Sequence, residues 1–263
     1  MIDIHTHIIP YVDDGADDWA TALALLQQGE KDGIKAAVAT PHILSEIDYR
    51  LEPEIIKNFK ELKVRAEDAG IKMKLYLGCE IYVQPDMTLE HTLSTLNQTG
   101  KYFLTEFPMN AIPRFVAEKF FELIIADKVP IVAHPERNIG FMSKPMIAYE
   151  FVQRGALMQV NAPSLLGKHG EKARQLAFTL IEHNLVHFLG SDCHRPSHRS
   201  MGLREAYKVI VDNWGTETAK NICFENARKM LNGESIEIPE PIPIEEMEKP
   251  SIWKRVRTFV NGR

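Results

Sequence analysis

The sequence has few cysteines, no long apolar run and no excess of positive charge. Its 263 residues include only Cys79, Cys193 and Cys223, an odd and widely spaced set that cannot form a disulfide framework and suits a reducing compartment. No segment approaches the ~18 apolar residues of a membrane-spanning helix. The N-terminus lacks the basic segment and apolar core of a signal peptide. We therefore expect a cytoplasmic protein without stable membrane insertion.

Charge and composition narrow the class of protein further. The net charge is −5, with 31 Lys and Arg against 36 Asp and Glu. A duplex-binding protein normally concentrates Lys and Arg to displace counterions from phosphates, so we expect no nucleic-acid partner. Hydrophobic residues make up 44% of the chain, as in ordinary globular domains, and the length is near the ~250 residues of an α/β barrel. One large domain is the starting expectation.

Short apolar runs alternate with segments of helical period, which is the pattern of βα units around a parallel sheet. The pattern therefore predicts an α/β fold. The seven predicted strands are 2–5, 36–40, 73–79, 102–106, 129–134, 156–160 and 186–191. Helices are predicted at 17–31, 55–69, 115–127, 146–154, 171–184, 203–213 and 217–231, with Gly33 and Gly70 ending the first two.

The composition and periodicity of the sequence change at about Gly233. The following segment mixes proline with six glutamates over 234–248 and has no long helical or strand period. We expect a barrel domain over 1–232 and a linker or surface strap over 233–263. Residues 251–263 place Trp253 and aliphatic side chains among basic ones, which predicts either a last helix packed on the domain or a basic amphipathic helix at a membrane surface.

Metal-ligating residue types lie at the ends of six of the seven predicted strands, where the active sites of parallel barrels are found. His5 and His7 share one face of their strand by i, i+2 spacing, as do Asp192 and His194, so each pair could hold one ion. Asp14, in the VDDG loop after the first strand, could reach the same rim. The candidate ligands are His5, His7, Asp14, His42, Glu80, Glu106, His134, Asp192 and His194.

Imidazole and carboxylate donors without thiolate favour Mn, Fe or Zn in a hydrolytic role. One ion takes about four to six ligands, so the candidates predict two or three ions that share bridging carboxylates. Such clusters generate hydroxide near neutral pH and clamp the attacking and leaving oxygens of a phosphoryl transfer. Arg137 and Arg199 lie just beyond predicted ligands, where each could grip phosphate with its guanidinium or form a surface ion pair.

The other histidines are interpreted as ordinary surface or core residues: His91, His169, His183, His187 and His198. Of these, His187 has the opposite strand parity to Asp192 and should face the helices.

Cys193 and Arg199 also fit the C-x5-R-S/T spacing of cysteine-based tyrosine phosphatases. The five intervening residues contain Pro196 and no glycine, whereas that class needs a glycine-rich loop whose backbone amides surround the phosphate. Asp192, next to the sulfur, would also disfavour a thiolate. We therefore expect the fit to be accidental, and strand parity turns Cys193 away from the rim.

Several motifs together resemble a known family. They are MIDIHTHIIPYVDDG, TPH at 40–42, GCE at 78–80, EFP at 106–108, HPERN at 134–138 and GSDCH at 190–194. Over about 1–232 they resemble the PHP (polymerase and histidinol phosphatase) superfamily, and within it the CpsB/CapC-type bacterial protein tyrosine phosphatases. The resemblance implies a distorted (β/α)7 TIM-like barrel with three metal ions, usually Mn, although Fe, Zn or Mg is possible.

Carried over by position, the resemblance also implies roles for individual residues. His5, His7, Glu80 and Asp192 would bind the first ion. Glu80 would bridge to a second ion held with Glu106 and His134, while Asp14, His42 and His194 would hold the third. Arg137 and Arg199 would bind the phosphate of a phosphotyrosine on a bacterial tyrosine kinase that controls capsule and exopolysaccharide synthesis.

The favoured function is thus a metal-dependent protein tyrosine phosphatase in which hydroxide generated at the metals attacks phosphorus and no phosphoenzyme forms. The leaving phenolate, with a parent pKa near ~10, needs only modest help from a metal or His42. One alternative is a small-molecule phosphomonoesterase such as histidinol phosphatase. The other is a non-catalytic, metal-stabilised interaction module.

Overall fold

A computed structural model describes residues 1–244, and parallel strands form the centre of the fold. Strands β1, β2 and β4 form one sheet, and β3, β5, β6, β7, β8 and β9 follow one another in the second. The expectation for a helix over 251–263 lies outside the described residues. The strands are β1 (Ile2–Thr6), β2 (Ala36–Ala39), β3 (His42–Ile43), β4 (Lys74–Leu77), β5 (Glu80–Tyr82), β6 (Tyr102–Glu106), β7 (Val129–Ala133), β8 (Leu157–Asn161) and β9 (Phe188–Gly190).

Two of the predicted strands are each followed by a short strand that was not predicted: β3 comes after the second predicted strand and β5 after the third. Pro41, which has no N–H to donate to a ladder, lies in the first break, and Gly78 lies in the second. Hydrogen bonds still cross both breaks, because Gly78 N–H donates to Ala39 O (2.9 Å) and Glu80 N–H to Pro41 O (3.0 Å). All seven predicted strands are therefore found. His42 and Glu80 lie on short strands of their own rather than after a strand end.

The last strand returns to the first. A bridge joins Thr6 to Cys193, Asp192 N–H donates to His5 O (2.9 Å), and His7 N–H donates to Cys193 O (3.0 Å). These few bonds, rather than a full ladder, connect the two edges in the part of the chain that the structure describes. The predicted distorted barrel-type arrangement of an α/β fold is confirmed.

Helices cover the outside of the strands and begin and end on local signals. Asp18 accepts a hydrogen bond from Thr21 N–H (2.8 Å) at the start of the first helix, and Gly33 ends that helix with φ 94°. Shorter 3-10 helices span Glu46–Leu51, Leu96–Gln98 and Pro135–Arg137. The α-helices are α1 (Trp19–Asp32), α2 (Glu52–Asp68), α3 (Val116–Ile125), α4 (Ile139–Ser143), α5 (Met146–Gln153), α6 (Ala162–Leu165), α7 (Glu171–Glu182), α8 (Arg204–Lys220) and α9 (Asn226–Leu231).

The predicted helices over 203–213 and 217–231 are separated by a kink at Gly215, where φ is 86°, although α8 as a whole extends through the kink to Lys220. A π-helical turn, Asn221–Glu225, then leads into α9. Residues 217–231 are therefore helical throughout, as predicted, and the π-helical turn within them is the feature that periodicity does not reveal.

A bulge in β1 decides which side chains enter the barrel. Ile4 packs in the same buried cluster as Leu104 and Leu157. Strict alternation would then turn the neighbouring His5 outward. The pairing of β1 with β2 shifts register between Asp3 and Thr6, and His5 instead reaches the interior face. Bulges re-aim side chains in this way.

The segment after α9 crosses the outside of the barrel without regular secondary structure as far as residue 244. Ile236 and Ile238 pack against the core. Tyr102 Oη donates to Glu234 O (2.7 Å), and Ile242 N–H donates to His183 O (2.9 Å). The division of the chain at residue 232 stays a prediction. Among the described helices, none has the length and apolar character needed to cross a bilayer.

Candidate metal centre

The structure brings the nine predicted ligand residues to one place, at the carboxyl ends of the strands. Donor atoms of seven of them form three groups, within each of which the atoms lie within 4.8 Å of one another. Three residues belong to two groups each, which shows how closely the groups adjoin. The other two residues, His134 and Asp192, lie within 4 Å of members of these groups. The groups are His5, His7 and Glu80; His42, Glu80 and Glu106; and His7, Asp14, His42 and His194.

Glu80 is the centre of this arrangement. Its Oε2 lies 3.0 Å from His5 Nε2, 3.3 Å from His7 Nε2 and 3.2 Å from His42 Nδ1. Its Oε1 is 3.1 Å from His134 Nε2. Burial alone would raise the pKa of Glu80, but the surrounding imidazoles hold it well below its usual range. A carboxylate that faces imidazoles on two sides is placed to bridge two cations.

Glu106 lies at the edge of the same cluster. One of its carboxylate oxygens is 3.5 Å from His42 Nδ1 and the other is 3.9 Å from His134 Nε2. Burial and the charge of Glu80 raise the pKa of Glu106 to about 7. A nearby cation would favour its ionised form.

Asp14, His42 and His194 form the outer part of the cluster. Asp14 Oδ1 is 3.4 Å from His42 Nε2 and 3.2 Å from His194 Nε2, and the Asp14 side chain is 66% exposed. Burial lowers the pKa of His42, while burial and the charge of His7 lower that of His194 to about 4. Both imidazoles are therefore neutral at pH 7 and have a lone pair to offer a metal.

Asp192 connects the histidines to both predicted phosphate-binding arginines. Its Oδ1 lies 3.8 Å from His5 Nε2 and 3.6 Å from His7 Nε2. Arg137 Nη1 donates to Oδ2 (2.7 Å), and Arg199 Nη2 donates to Oδ1. Burial would raise the pKa of Asp192, but the charges of His5, His134 and Arg199 hold it far below its usual range. The two guanidiniums thus lie side by side at the edge of the cluster.

The donor atoms themselves fit divalent cations. His42 Nδ1, Glu80 Oε2 and His194 Nε2 are buried and lack a hydrogen bond of acceptable geometry within the described residues. A buried unpaired polar atom costs about 1–3 kcal/mol, which a coordinated ion would remove. Imidazole nitrogen and carboxylate oxygen suit Mn, Fe or Zn.

Two of the candidate ligands have strained backbones. His134 has φ 34° and Asp192 has φ 53°, both in the left-handed region. Such a conformation costs about 1–3 kcal/mol for a residue with a side chain and clusters at functional sites. His134 follows β7 directly and Asp192 lies two residues after β9, and the turn at each position keeps the side chain on the cluster instead of continuing the strand alternation.

Sequence reasoning missed Asp13, which orients one of the ligands. Asp13 Oδ2 lies 2.7 Å from His7 Nδ1 and also accepts a hydrogen bond from His42 N–H (3.2 Å). Although burial opposes it, the His7 contact lowers the pKa of Asp13 to about 2. The ionised carboxylate keeps the proton of His7 on Nδ1 and directs Nε2 to the cluster, as outer carboxylates commonly do for metal-binding histidines.

His169, predicted to be an ordinary residue, lies close to the arginines. His169 Nδ1 is 2.9 Å from Ser164 Oγ, which in turn donates to the buried Glu136 (2.6 Å). Burial and the positive charge of Arg137 lower the pKa of His169 to about 4. The sequence offered no signal for this position, because the contact depends on the loop after β8.

The remaining residues stay outside the cluster. His91 is 2.5 Å from Glu46, and His187 is buried and accepts a hydrogen bond from Met158 N–H (3.0 Å). Cys193 is fully buried in the hydrophobic core, and burial raises its pKa. Burial therefore disfavours the thiolate that a cysteine nucleophile requires.

Comparison with known proteins gives consistent results. A family model described as "Capsular polysaccharide synthesis, CpsB/CapC" matches residues 1–232. The chain is 34% identical to tyrosine-protein phosphatase YwqE of Bacillus subtilis over 249 residues, which cover 93% of this chain and 96% of that protein. It is 36% identical to the putative tyrosine-protein phosphatase CapC of Staphylococcus aureus over 212 residues, 79% of this chain and 82% of the other.

A solved structure extends the likeness to the fold. It is described as "Crystal structures of YwqE from Bacillus subtilis and CpsB from Streptococcus pneumoniae, unique metal-dependent tyrosine phosphatases". The TM-score is 0.86 at 33% sequence identity, with 94% of this chain and 100% of that chain covered. The similarity therefore includes the strands and loops that carry the cluster.

Proposed function

The chain belongs to the CpsB/CapC family of capsular polysaccharide synthesis, and from that premise we propose that it is a metal-dependent protein tyrosine phosphatase. The observation that carries the proposal is the cluster around the buried Glu80, with two arginine side chains on Asp192 at its edge. Cations and guanidiniums side by side suit a phosphate monoester dianion. The relatives described as tyrosine phosphatases support the same reading over most of the chain.

We assign three ions to the cluster, with manganese as the metal of choice and Fe, Zn or Mg as the alternatives that metal analysis would detect. When bound, the ions supply hydroxide near neutral pH and neutralise charge on the transferring phosphoryl group. The first set is His5, His7, Glu80 and Asp192; the second is Glu80, Glu106 and His134; the third is Asp14, His42 and His194.

The protein's own side chains bind and orient the substrate. Arg137 and Arg199 each have further guanidinium N–H groups besides the one on Asp192, and these would hold the equatorial phosphoryl oxygens. His42 is neutral at pH 7 because burial lowers its pKa. It is therefore better suited to hold an ion than to donate a proton. The phenolate leaving group, with a parent pKa near ~10, tolerates that arrangement.

The proposed substrate is phosphotyrosine on a bacterial tyrosine kinase that acts in capsule or exopolysaccharide synthesis. The family description and the relatives' names support this choice. The cytoplasm is the proposed compartment, since the three cysteines are free and buried thiols. The chain is also proposed to belong to the PHP superfamily, and the motifs at the strand ends support that assignment.

The test is a comparison of substrates with one enzyme preparation. Purified protein loaded with Mn²⁺ should release phosphate from a phosphotyrosine peptide much faster than from the matched phosphoserine peptide or from histidinol phosphate. Faster hydrolysis of histidinol phosphate would replace the proposal with a small-molecule phosphatase. No turnover of any of these substrates, nor of p-nitrophenyl phosphate, would leave a non-catalytic module.

A further inference from the structure

Strand β8 supplies no candidate ligand, yet two amide side chains on it are fully buried beside the cluster. Gln159 and Asn161 are both 0% exposed and share one face of the strand. His5 Nδ1 is 2.8 Å from Gln159 Oε1, Gln159 Nε2 donates to Asn161 Oδ1 (2.8 Å), and Asn161 Nδ2 donates to Asp192 Oδ2 (2.8 Å). An unbroken chain of hydrogen bonds thus joins two candidate ligands on neighbouring strands.

The donor and acceptor groups allow only one orientation for this series of hydrogen bonds. Asp192 receives two guanidiniums and is a carboxylate, which can only accept hydrogen bonds. Asn161 must therefore turn its NH2 group toward Asp192 and its oxygen toward Gln159. By the same reasoning Gln159 must turn its NH2 group toward Asn161 and its oxygen toward His5. His5 then has to carry its proton on Nδ1.

The orientation of these hydrogen bonds determines the state of the other ring nitrogen of His5, Nε2. With the proton on Nδ1, the lone pair of His5 is on Nε2, which lies 3.2 Å from His7 Nε2 and 3.0 Å from Glu80 Oε2. This is the tautomer that can coordinate a cation there. The amide chain therefore selects the metal-binding form of His5 and fixes the rotation of its ring.

Strand β9 leaves room for this arrangement at Gly190. A Cβ atom at Gly190 would come within 2.7 Å of Gln159 Nε2 and 2.8 Å of His5 Cβ. Both distances are shorter than van der Waals contact, and both atoms belong to buried side chains. The glycine is therefore required by the amide chain as well as by the barrel.

We propose that Gln159 and Asn161 are positioning residues, a buried amide relay that holds His5 and Asp192 in the tautomer and orientation needed to bind a divalent cation. The relay rests on the proposed function only in taking His5 and Asp192 as ligands. It explains why β8 is polar at the level of the cluster, although it matches the one predicted strand that does not end in a candidate ligand. Removal of the relay should weaken cation binding without removing a donor atom.

The first test measures affinity. Calorimetric titration of the metal-free protein with Mn²⁺ should show an affinity about 10- to 100-fold lower for Gln159→Leu, the usual cost of losing an outer-shell partner. Gln159→Glu can still accept from His5 but cannot donate to Asn161, so its affinity should be intermediate. The matched control is Asn226→Ala, which removes a buried amide that donates to His187 O (3.0 Å), away from the cluster.

Stability is measured on the same metal-free samples, because all three substitutions alter buried, hydrogen-bonded amides and are expected to lower the free energy of unfolding. Reduced stability with wild-type Mn²⁺ affinity in Gln159→Leu would make the relay a purely structural feature and overturn the proposal. An equal loss of affinity in Asn226→Ala would do the same.

The second test needs no variant. Nitrogen NMR of the wild-type protein loaded with Zn²⁺, which is diamagnetic, should show His5 protonated at Nδ1, and an unprotonated Nδ1 would overturn the relay. Neither measurement uses phosphatase activity. A protein inactive on every phosphate ester would therefore contradict the proposed function and leave the relay standing.

Discussion

Replacing Cys193 and His194 separately distinguishes two phosphatase chemistries that share this segment of chain. Cys193 lies between two candidate ligands and has the spacing of a cysteine nucleophile with Arg199. His194 offers Nε2 to the outer part of the cluster, 3.2 Å from Asp14 Oδ1. If the metals generate the nucleophile, Cys193→Ser should keep most of the activity and His194→Ala should lose it.

The expected magnitudes follow from the surroundings of each side chain. At an ordinary pKa of ~8.5, a thiol is only about 3% ionised at pH 7, and burial of Cys193 raises its pKa further. Serine is close to cysteine in size, so kcat/KM should stay within about threefold. Outer-shell partners alone are worth about 10- to 100-fold. Loss of the His194 donor should therefore cost at least about 100-fold.

Both variants are assayed on one phosphotyrosine peptide, with metal content and melting temperature measured alongside. Cys193→Ser buries a hydroxyl and is expected to lower the melting temperature. Activity is therefore compared well below the transition. An inactive, folded and fully metallated Cys193→Ser enzyme would refute the metal mechanism, because only a thiolate nucleophile predicts that result.

Three further outcomes are expected. Chelation should abolish activity and Mn²⁺ should restore it best, and full activity in the stripped protein would contradict a metal-dependent site. Arg137→Ala should raise KM at least about tenfold with unchanged metal content, whereas lost metal would assign the residue to holding Asp192. The pKa of Glu106 is raised from 4.5 to about 7 in the metal-free fold, so the folded protein holds this proton more tightly than the unfolded chain does. The resulting stabilisation, at most about 3 kcal/mol, is fully present below pH ~4.5 and is lost as the pH rises to 7. Mn²⁺ should therefore raise the melting temperature more at pH 8 than at pH 5.5, and equal gains would contradict this role of Glu106.

Much of the fold could be predicted because its signals are local. Short apolar runs separated by helical periods identify parallel strands, and the chain order of those strands is the order of the barrel. The elements that were missed are the short ones, such as α4 (Ile139–Ser143) and α6 (Ala162–Leu165). Four or five residues hold too little periodicity to predict a helix.

β1 shows a structural feature that the sequence pattern does not predict. The i, i+2 spacing of His5 and His7 predicted that both would share a face, and their Nε2 atoms do lie 3.2 Å apart. Whether that face is the interior depended on the register shift between Asp3 and Thr6. A bulge arises from pairing with a neighbouring strand, and the residues of one strand alone do not encode it.

The ligands and the residues that orient them differ in how visible they are in a sequence. A hydrolytic metal site accepts few residue types, so histidines and carboxylates at strand ends are informative wherever they occur. Orienting a ligand requires only a hydrogen bond of the right polarity, which a carboxylate supplies at Asp13 and an amide at Gln159. Asp13 and Asp14 are adjacent and chemically identical, yet one lies under His7 and the other reaches out to His194. Residue type therefore identifies the donors, while only the folded backbone determines which neighbours orient them.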